Sequence, residues 1–436
     1  MKKLLTFLVA AIMAVACCFG LTACGDGEEA QELKMPAYDA RFTETIPADF
    51  KVGFIFLHDE KSTYDLNFYN AAKEAVEYFG LSDSQVFYKF NIDENEQCTD
   101  AANDLISKGC KAIFADSFGH EKLLVPLAEA NPDVQFFHAT GTQAVVRDDL
   151  TNYHNAFASI YQGRYLAGYA AGMKLNEMIT DGKVDASKEI QVGYVGAFTY
   201  AEVISGYTSW YLGLKEAATK ATNGIKMSVT FTGSWYDVDA EKTAAEKLIS
   251  MGCVIVSQHA DSMGAPSACE AKEVINVSYN GSTINECPET FLISSRIDWS
   301  YYMKTMIMNV ANNKPVDNDI CATVEDGAVV LTDLNANVAA KNTVKELIKV
   351  RNELVLGTRQ VFDVSKFTVN GEHLTEYSAD YLDTWDGQQN STYVKDGNVI
   401  MTDAETGITY FAESYYRSAP YFDLTIDGIV LLDTKF

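Results

Sequence analysis

The chain has 436 residues, a formal net charge of −26 and 47% hydrophobic residues. This length suffices for two or three domains with large cores, and the acidic charge excludes nucleic acid as a polyanionic partner. No Cys-x-x-Cys pair occurs in the sequence, which excludes a zinc ribbon and a thioredoxin-type motif.

The first 23 residues have the features of a secretory signal. Two lysines precede an apolar run from 4 to 21, and a Leu-Thr-Ala-Cys tetrapeptide ends at Cys24. The tetrapeptide resembles the lipobox of bacterial lipoproteins, so we expect cleavage before Cys24 and lipidation of Cys24. An uncleaved anchor is the alternative, but the apolar run is short for a spanning helix. Residues 24–48 are polar and acidic and predict a flexible tether on the extracytoplasmic face of the cell membrane.

From residue 49 onward, short apolar runs alternate with segments of helical periodicity, which is typical of parallel sheets covered by helices. The first series predicts strands near 52–57, 86–92, 112–114 and 134–138. After a loop near 140–150, the second series predicts helices near 159–178, 201–220 and 239–251 and strands near 191–196, 227–232 and 254–258.

We therefore predict an α/β fold with two doubly wound, parallel-sheet lobes joined by a hinge. Lobe I covers 49–145, with returning segments within about 275–325. Lobe II covers 146–274, with returning segments within about 326–360. Residues 361–436 are rich in Thr, Tyr, Asp and Gly and predict a β-rich C-terminal extension packed on the body.

An internal repeat supports the two lobes. Ala-Ala-Asn-Asp-Leu-Ile-Ser-Lys-Gly-Cys starts at Ala101, and Ala-Ala-Glu-Lys-Leu-Ile-Ser-Met-Gly-Cys starts at Ala244, an offset of 143 residues (244 − 101). Each copy has apolar residues at helical spacing, a glycine just past the helix end and then an apolar run. The repeat predicts two similar lobes with a ligand cleft between them. The alternative is a chance likeness, since helix-glycine-strand is common in α/β proteins.

The cysteines of the body predict buried thiols rather than disulfides. They are spread over more than 200 positions, and two of them stand at matching sites of the repeat. These cysteines are Cys98, Cys110, Cys253, Cys269, Cys287 and Cys321.

Polar and aromatic residues follow the predicted strands, where doubly wound sheets bind ligands. They lack a nucleophile paired with a base, and they lack a Gly-rich phosphate loop. Such a mixture suits a flat, uncharged heterocycle, because rings can sandwich it while Asp and Asn hydrogen-bond its edge. The candidate ligand-binding residues are Tyr64, Asp65, Asn67, Asp116, Ser117, Phe198, Trp235, Asp261, Asn280 and Trp299.

Several motifs in a fixed order resemble one known family, from about residue 51 to residue 331. They are Tyr-Gln-Gly-Arg-Tyr-Leu-Ala-Gly (161–168), Gly-Tyr-Val-Gly-Ala-Phe (193–198), Gly-Ser-Trp-Tyr-Asp (233–237) and Gln-His-Ala-Asp-Ser (258–262). Together they resemble the basic membrane protein (BMP) family of ABC-importer substrate-binding lipoproteins, of the purine nucleoside receptor type.

The resemblance implies a function. Two α/β lobes of the type I periplasmic-binding-protein kind would close on a purine nucleoside or purine base and deliver it to an ABC permease and its ATPase. By position, the resemblance implies that Tyr64 and Trp235 stack on the base and that Asp65 or Asn67 binds its edge.

One stretch departs from the family. Many members have an acidic Gly-Val-Asp-x-Asp segment that holds the sugar hydroxyls, whereas residues 278–282 here are Ser-Tyr-Asn-Gly-Ser. Asn280 still donates and accepts hydrogen bonds, and Asp261 stands where many relatives have Gly. Purine base and purine nucleoside therefore both stay open, with an unrelated small polar ligand as a third alternative.

The candidate residues also have structural alternatives. A buried structural ion pair is the expectation for Arg164, which lies among aromatic residues of a helix. Helix capping is the alternative for Tyr64, Asp65, Asp116 and Asp261, and packing of a lobe edge or a core is the alternative for Trp235 and Trp299.

The competing class is a metal-dependent enzyme. His259 and Asp261 lie two residues apart, and His120 and His138 follow neighbouring strands. No His-Glu-x-x-His or Gly-x-Ser-x-Gly motif occurs, so we expect a monomeric binding protein that is not an enzyme and has no cofactor or metal. A sensing lipoprotein of the same fold is a further alternative.

Overall fold

Two parallel sheets covered by helices form the frame of the chain in a computed structural model that describes residues 42–147, 149–380 and 396–433. The predicted signal, the lipidation site Cys24 and the first part of the tether lie outside these residues. Within the described ranges, no helix is both long and apolar enough to cross a membrane.

The first sheet has six strands, and all of its neighbouring strands are parallel. Its strands are Val52–Ile55 (β1), Val86–Lys89 (β2), Ala112–Ala115 (β3), Gln135–Ala139 (β4), Tyr153–Ala158 (β5) and Asp319–Ala322 (β11). Their spatial order is β11-β5-β4-β3-β1-β2, so the chain starts at β1, next to the edge strand β2, and the order reverses between β1 and β3, as in doubly wound folds.

The second sheet has seven strands, and only the β10–β12 pair is antiparallel. Its strands are Ile190–Gly196 (β6), Ile225–Phe231 (β7), Ile255–Gln258 (β8), Ile275–Tyr279 (β9), Phe291–Ile297 (β10), Val329–Leu331 (β12) and Ile429–Leu431 (β17). Their spatial order is β12-β10-β9-β8-β6-β7-β17. The last strand comes from the C-terminal extension, which is therefore part of this sheet.

The helices and the short strands complete the frame. We call each sheet, with the helices that cover it, a lobe. The helices are Thr63–Phe79 (α1), Glu96–Ser107 (α2), Glu121–Ala130 (α3), Gln143–Val146 (α4), Ile160–Thr180 (α5), Ala201–Ala217 (α6), Val238–Ser250 (α7), Gly264–Ala271 (α8), Ser300–Ala311 (α9) and Thr343–Val355 (α10). Two short antiparallel pairs join Ser378–Asp380 (β13) to Asp396–Asn398 (β14) and Ile400–Thr402 (β15) to Thr409–Phe411 (β16).

The boundary between the lobes differs from the prediction at β5. We placed residues 146–274 in lobe II, but β5 pairs with β4 and β11 in the first sheet. The segments within 275–325 that we predicted to return to lobe I also differ in part. There β9 and β10 belong to the second sheet, whereas α9 and β11 return to the first lobe. The chain thus crosses between the lobes three times: after β5, after β10 and after β11.

The internal repeat corresponds to α2-β3 in the first lobe and α7-β8 in the second. In both copies the helix ends just before a glycine with positive φ, +85° at Gly109 and +91° at Gly252. A side chain is strained in this left-handed conformation, which explains glycine at both positions. The six cysteines of the described body are free thiols, five buried and Cys321 half-buried, as predicted. Burial raises the pKa of the Cys98 thiol to about 12.

The long helices α5 and α6 of the second lobe approach closely because of two glycines. A Cβ atom at Gly168 would lie 2.0 Å from the carbonyl oxygen of Trp210, and one at Gly213 would lie 2.0 Å from that of Tyr165. Real side chains cannot occupy such distances, so this contact between helices depends on the two glycines.

We predict that Gly168→Ala lowers the free energy of unfolding by about 1–3 kcal/mol, because the added methyl group forces the helices apart. Chemical denaturation measures the change. The exposed control Glu246→Ala on α7 should stay within about 0.5 kcal/mol of the wild type. An equally stable Gly168→Ala variant would contradict the close-packed contact.

Candidate functional site

A cavity of about 450 Å³ lies between the two lobes, beyond the carboxyl ends of their strands. This volume includes open solvent at the mouth of the cleft. Loops after β1, β3 and β4 form one wall, and loops after β7, β8 and β9 form the other with the start of α6. The lining residues are Leu57, His58, Tyr64, Asp65, Asp116, Ser117, Phe118, Thr140, Glu202, Trp235, His259, Asp261, Tyr279 and Asn280.

Asp116 follows β3 and is the buried carboxyl group of the first wall. Its Oδ1 accepts a hydrogen bond from the Leu57 amide at 3.1 Å, and its carbonyl oxygen accepts one from the Tyr64 hydroxyl at 2.7 Å. Its Oδ2 is buried without a partner in the described structure. Burial, with the negative charge of Asp65 nearby, raises the pKa of Asp116 well above its ordinary value. Oδ2 of this carboxyl therefore has unused hydrogen-bonding capacity, while Oδ1 binds Leu57 rather than capping the helix that follows.

Asp65 lines the same wall, but both of its carboxylate oxygens already accept hydrogen bonds from nearby residues. Its Oδ1 accepts from the His58 amide at 2.7 Å, and its Oδ2 accepts from the Ser62 hydroxyl at 2.5 Å. The Asp65 amide in turn donates to the Ser62 hydroxyl, which is the N-cap of α1. Although burial opposes ionisation, the hydrogen bonds from His58 and Ser62 hold the pKa of Asp65 below its ordinary value. These contacts therefore agree with the alternative that Asp65 stabilises the start of α1.

Asp261 and Asn280 form the matching polar pair of the second wall. The Asn280 amide nitrogen donates to Asp261 Oδ1 at 3.0 Å, while Asn280 Oδ1 is buried without a partner in the described structure. Burial, with the negative charge of Asp65 nearby, raises the pKa of Asp261 well above its ordinary value. The second wall therefore also has an acceptor oxygen with unused capacity.

Trp235 is the aromatic side chain of the second wall that the sequence identifies. It is half-buried, and the ring of Phe198 packs edge-on against it with a centroid distance of 5.0 Å and an interplanar angle of 67°. The Trp235 carbonyl accepts from the Asp261 amide at 2.9 Å. Phe198 therefore supports the indole, the Asp261 amide holds the backbone of Trp235, and the residue lines the cavity.

The structure brings seven of the ten candidates into the lining and places three elsewhere. Asn67 is on α1, and its amide donates to the carbonyl oxygen of Ile297 at 2.7 Å. Phe198 supports Trp235, as described above. Trp299 is 2% exposed and packs edge-on against Phe68 in the core at 5.3 Å. The seven lining candidates are Tyr64, Asp65, Asp116, Ser117, Trp235, Asp261 and Asn280.

An acid–histidine pair in the second wall was not among the candidates. His259 Nε2 lies 2.8 Å and 2.9 Å from the two carboxylate oxygens of Glu202, and its Nδ1 lies 3.3 Å from the Tyr194 hydroxyl. Glu202 is in the first turn of α6, where the helix dipole favours negative charge. The pair adds a fixed acceptor to the cavity.

Arg164 lies behind this pair and has a structural role. It is fully buried, donates to the carbonyl oxygen of Gln258 at 2.8 Å and hydrogen-bonds the Tyr194 hydroxyl. Its guanidinium lies over the rings of Tyr194 and Tyr279 at 5.3 Å and 4.6 Å. Carbonyl and aromatic contacts thus take the place of the ion pair that we predicted.

The two walls contact each other across the mouth of the cleft. The Thr63 amide at the start of α1 donates to the Asp261 carbonyl at 3.0 Å. Two ring pairs also span the cleft, each with a centroid distance of 5.3 Å: His58 with Tyr236 and Phe118 with Tyr200. The structure is therefore the closed form of a two-lobed molecule.

The cavity has an acidic lining. Four carboxyl groups line it, Asp65, Asp116, Glu202 and Asp261, and no Lys or Arg does so in the described part of the chain. Across the described residues, no cluster of three or more His, Cys, Asp or Glu side chains is arranged to hold a metal ion. The site therefore offers hydrogen-bond acceptors next to aromatic rings.

Comparison with known proteins gives small-molecule binding proteins among the relatives of this chain. A purine-binding protein of Brucella abortus is 30% identical over 255 residues, which is 58% of this chain and 66% of that protein. A putative ABC transporter glucose-binding protein of Haloferax volcanii is 28% identical over 244 residues, which is 56% of each chain. The chain thus matches less than two thirds of the length of these relatives.

Comparison with solved structures and with family models gives the fold and the family. An ABC transporter solute-binding protein of Aeropyrum pernix has a TM-score of 0.61 and 14% identity, covering 74% of this chain and 94% of that one. The fold is accordingly the two-lobed, type I-like α/β fold of periplasmic solute-binding proteins. The family model described as "ABC transporter substrate-binding protein PnrA-like" matches residues 53–364, so the chain belongs to the PnrA-like (Bmp) family of ABC transporter substrate-binding proteins.

Proposed function

We propose that this substrate-binding protein binds a purine base or purine nucleoside between its lobes and delivers it to an ABC permease. The proposal includes a lipid anchor on Cys24, supported by the lipobox-like tetrapeptide. The name of the Brucella abortus relative supports a purine, whereas that of the Haloferax volcanii relative makes a sugar the competing ligand.

The observation that carries the proposal is the convergence of two buried acceptor oxygens on one cavity. Asp116 Oδ2 comes from the first lobe and Asn280 Oδ1 from the second, and neither has a partner in the described structure. A buried polar atom without a partner costs about 1–3 kcal/mol. A ligand with N–H groups on two edges would remove both costs only when the lobes are closed, and purines carry such groups.

The aromatic and charged lining favours a neutral ring over other small ligands. Stacking on Trp235 is worth about 1–3 kcal/mol for a base, whereas a sugar offers no π-face of its own. A phosphate group would bring negative charge among four carboxyl groups without a lysine or arginine to neutralise it. The site therefore suits an unphosphorylated base or nucleoside better than a nucleotide.

A panel of ligands tests the function. Thermal denaturation of the purified protein is followed with adenine, guanine, hypoxanthine, their nucleosides, uridine, glucose and amino acids. Stabilisation by purine nucleosides more than by bases would assign a sugar subsite at Asn280 and Asp261. Stabilisation by bases alone would assign a base receptor. A response only to glucose or amino acids would refute the purine proposal and leave the family assignment intact.

We predict that Trp235→Ala weakens purine binding by about 1–3 kcal/mol, because the stacking surface is lost. Isothermal titration calorimetry measures the affinity. Trp235→Phe keeps an aromatic face and should retain most of the affinity. Leu356→Ala, which removes an exposed apolar side chain that does not line the cavity, should also retain it. Unchanged affinity in Trp235→Ala would remove this residue from the ligand contacts.

We predict that Asp116→Asn weakens binding by about 1.5–3 kcal/mol without loss of thermal stability, because the free Oδ2 acceptor is replaced by an N–H donor. Asp65→Asn should mainly lower the melting temperature and change the affinity less, because the Asp65 carboxylate accepts hydrogen bonds from His58 and Ser62. Equal affinity of the Asp116→Asn variant and the wild type would show that Oδ2 does not contact the ligand.

The same carboxyl group predicts a pH dependence. A ligand N–H donates to the ionised form of Asp116, whose pKa burial raises above its ordinary value. Protonation therefore competes with binding, so the affinity should fall as the pH falls through this raised pKa, beginning above the usual range of an aspartate near pH 4. Titrations between pH 5 and 8 measure this dependence, and Asp116→Asn should flatten it. An affinity that rises on acidification would contradict this role.

A further inference from the structure

Residues 413–433 of the C-terminal extension contact both lobes, and we call this segment the strap. The family match ends at residue 364, so the strap lies outside the part of the chain that the family model describes. Its role is therefore not given by the family and has to be inferred from its contacts.

The end of the strap is fixed to the second lobe. Strand β17 pairs with β7 in parallel register, and the Leu432 amide donates to the Val229 carbonyl at 2.8 Å. The Asp433 carboxylate then accepts from the Thr230 hydroxyl at 2.6 Å and from the Phe231 amide at 2.9 Å. These contacts make the strap a continuous part of the second sheet.

The start of the strap is fixed to the first lobe and to the crossing after β5. The Ser418 amide donates at 2.7 Å to Oδ2 of Asp319, the first residue of the edge strand β11. The carbonyl oxygen of Glu413 accepts from the hydroxyl of Tyr161, which is in the first turn of α5. One segment thus joins the edge strand of the first sheet to the edge strand of the second.

Hydrogen bonds and a ring contact hold the strap in place between its two ends. The buried carboxylate of Glu413 accepts from the amides of Tyr421 and Phe422 at 2.8 Å and 3.3 Å, which closes the loop that contains Ser418. The ring of Phe422 stacks on Phe362 with a centroid distance of 4.4 Å and an angle of 14°. A displacement of the lobes would therefore strain the contact with Asp319 rather than be absorbed by a flexible loop.

We propose that the strap is a conformational brace that favours the closed form, with the Ser418–Asp319 hydrogen bond as the contact that opening breaks. This inference concerns the regulation of the proposed ligand site and rests on the lobe closure that the proposed function requires. A contact made only in the closed state shifts the equilibrium between open and closed forms by its own free energy. The strap thereby lowers the part of the binding energy that a ligand spends on closure.

The Thr63 amide provides a readout that needs no ligand. It is the first amide of α1, so it has no acceptor within its own helix, and it donates across the cleft to Asp261. Each opening of the lobes exposes this amide to water. Its hydrogen exchange in the ligand-free protein therefore reports how often the cleft is open.

The test compares exchange of the Thr63 amide in the wild type and in Asp319→Ala. Loss of one hydrogen bond predicts exchange about threefold to tenfold faster. Asp319→Asn keeps an acceptor oxygen and should restore the wild-type rate. The matched control is Asp403→Ala, which removes an aspartate whose bonds to Glu405 and Thr406 lie within one turn of the extension. This control should leave Thr63 unchanged.

Unchanged exchange at Thr63 in a folded Asp319→Ala protein would overturn the brace. If that variant does not fold, Ser418→Pro removes the same N–H donor from the other side and is judged by the same readout. Failure of the purine panel would leave this result standing, because the experiment contains no ligand. Faster exchange with no purine response would therefore separate a correct brace from an incorrect ligand.

Discussion

The hydrogen bond from the Thr63 amide to the Asp261 carbonyl is the contact on which the closed site depends. It uses an amide that every helix leaves unsatisfied at its N-terminus and satisfies it with a loop of the opposite lobe. Asp261 is held in turn by Trp235 on its amide and by Asn280 on its carboxyl group. The Thr63 contact therefore joins the first lobe to a wall whose residues already hold one another within the second lobe.

The sequence predicts the elements of both lobes because their signals are local. Apolar runs of strand length and helical periodicity need no knowledge of distant partners, and the repeated glycine reflects the backbone conformation at Gly109 and Gly252. The strand-end rule places Asp116 and Asp261 at the cleft for the same reason, since a residue that follows a strand of a parallel sheet must lie at that edge. The strand β5 was not predicted, and its pattern would not have said which sheet receives it, because a buried strand has the same pattern in either.

The remaining errors at the site come from helix geometry and from long-range packing. Asn67 is two residues after Asp65 on α1, which turns it about 200° around the helix axis and away from the wall that Asp65 lines. Trp299 is the N-cap residue of α9, but its ring packs in the core against Phe68. Glu202 had no strand-end signal at all, because α6 carries it into the cavity and His259 fixes it there. Such contacts depend on how elements meet in space, which one sequence does not reveal.

The pairing of β17 with β7 has a consequence for how the protein is made. Its side-chain contacts join residues 202 positions apart, and contacts of such separation form slowly. Until β17 has been synthesised, one side of β7 is an unpaired edge, which is a template for wrong pairing with other chains. Folding of the second lobe therefore cannot finish before β17 has been synthesised. A truncation that removes β17 would leave an aggregation-prone edge on β7 rather than merely a shorter chain.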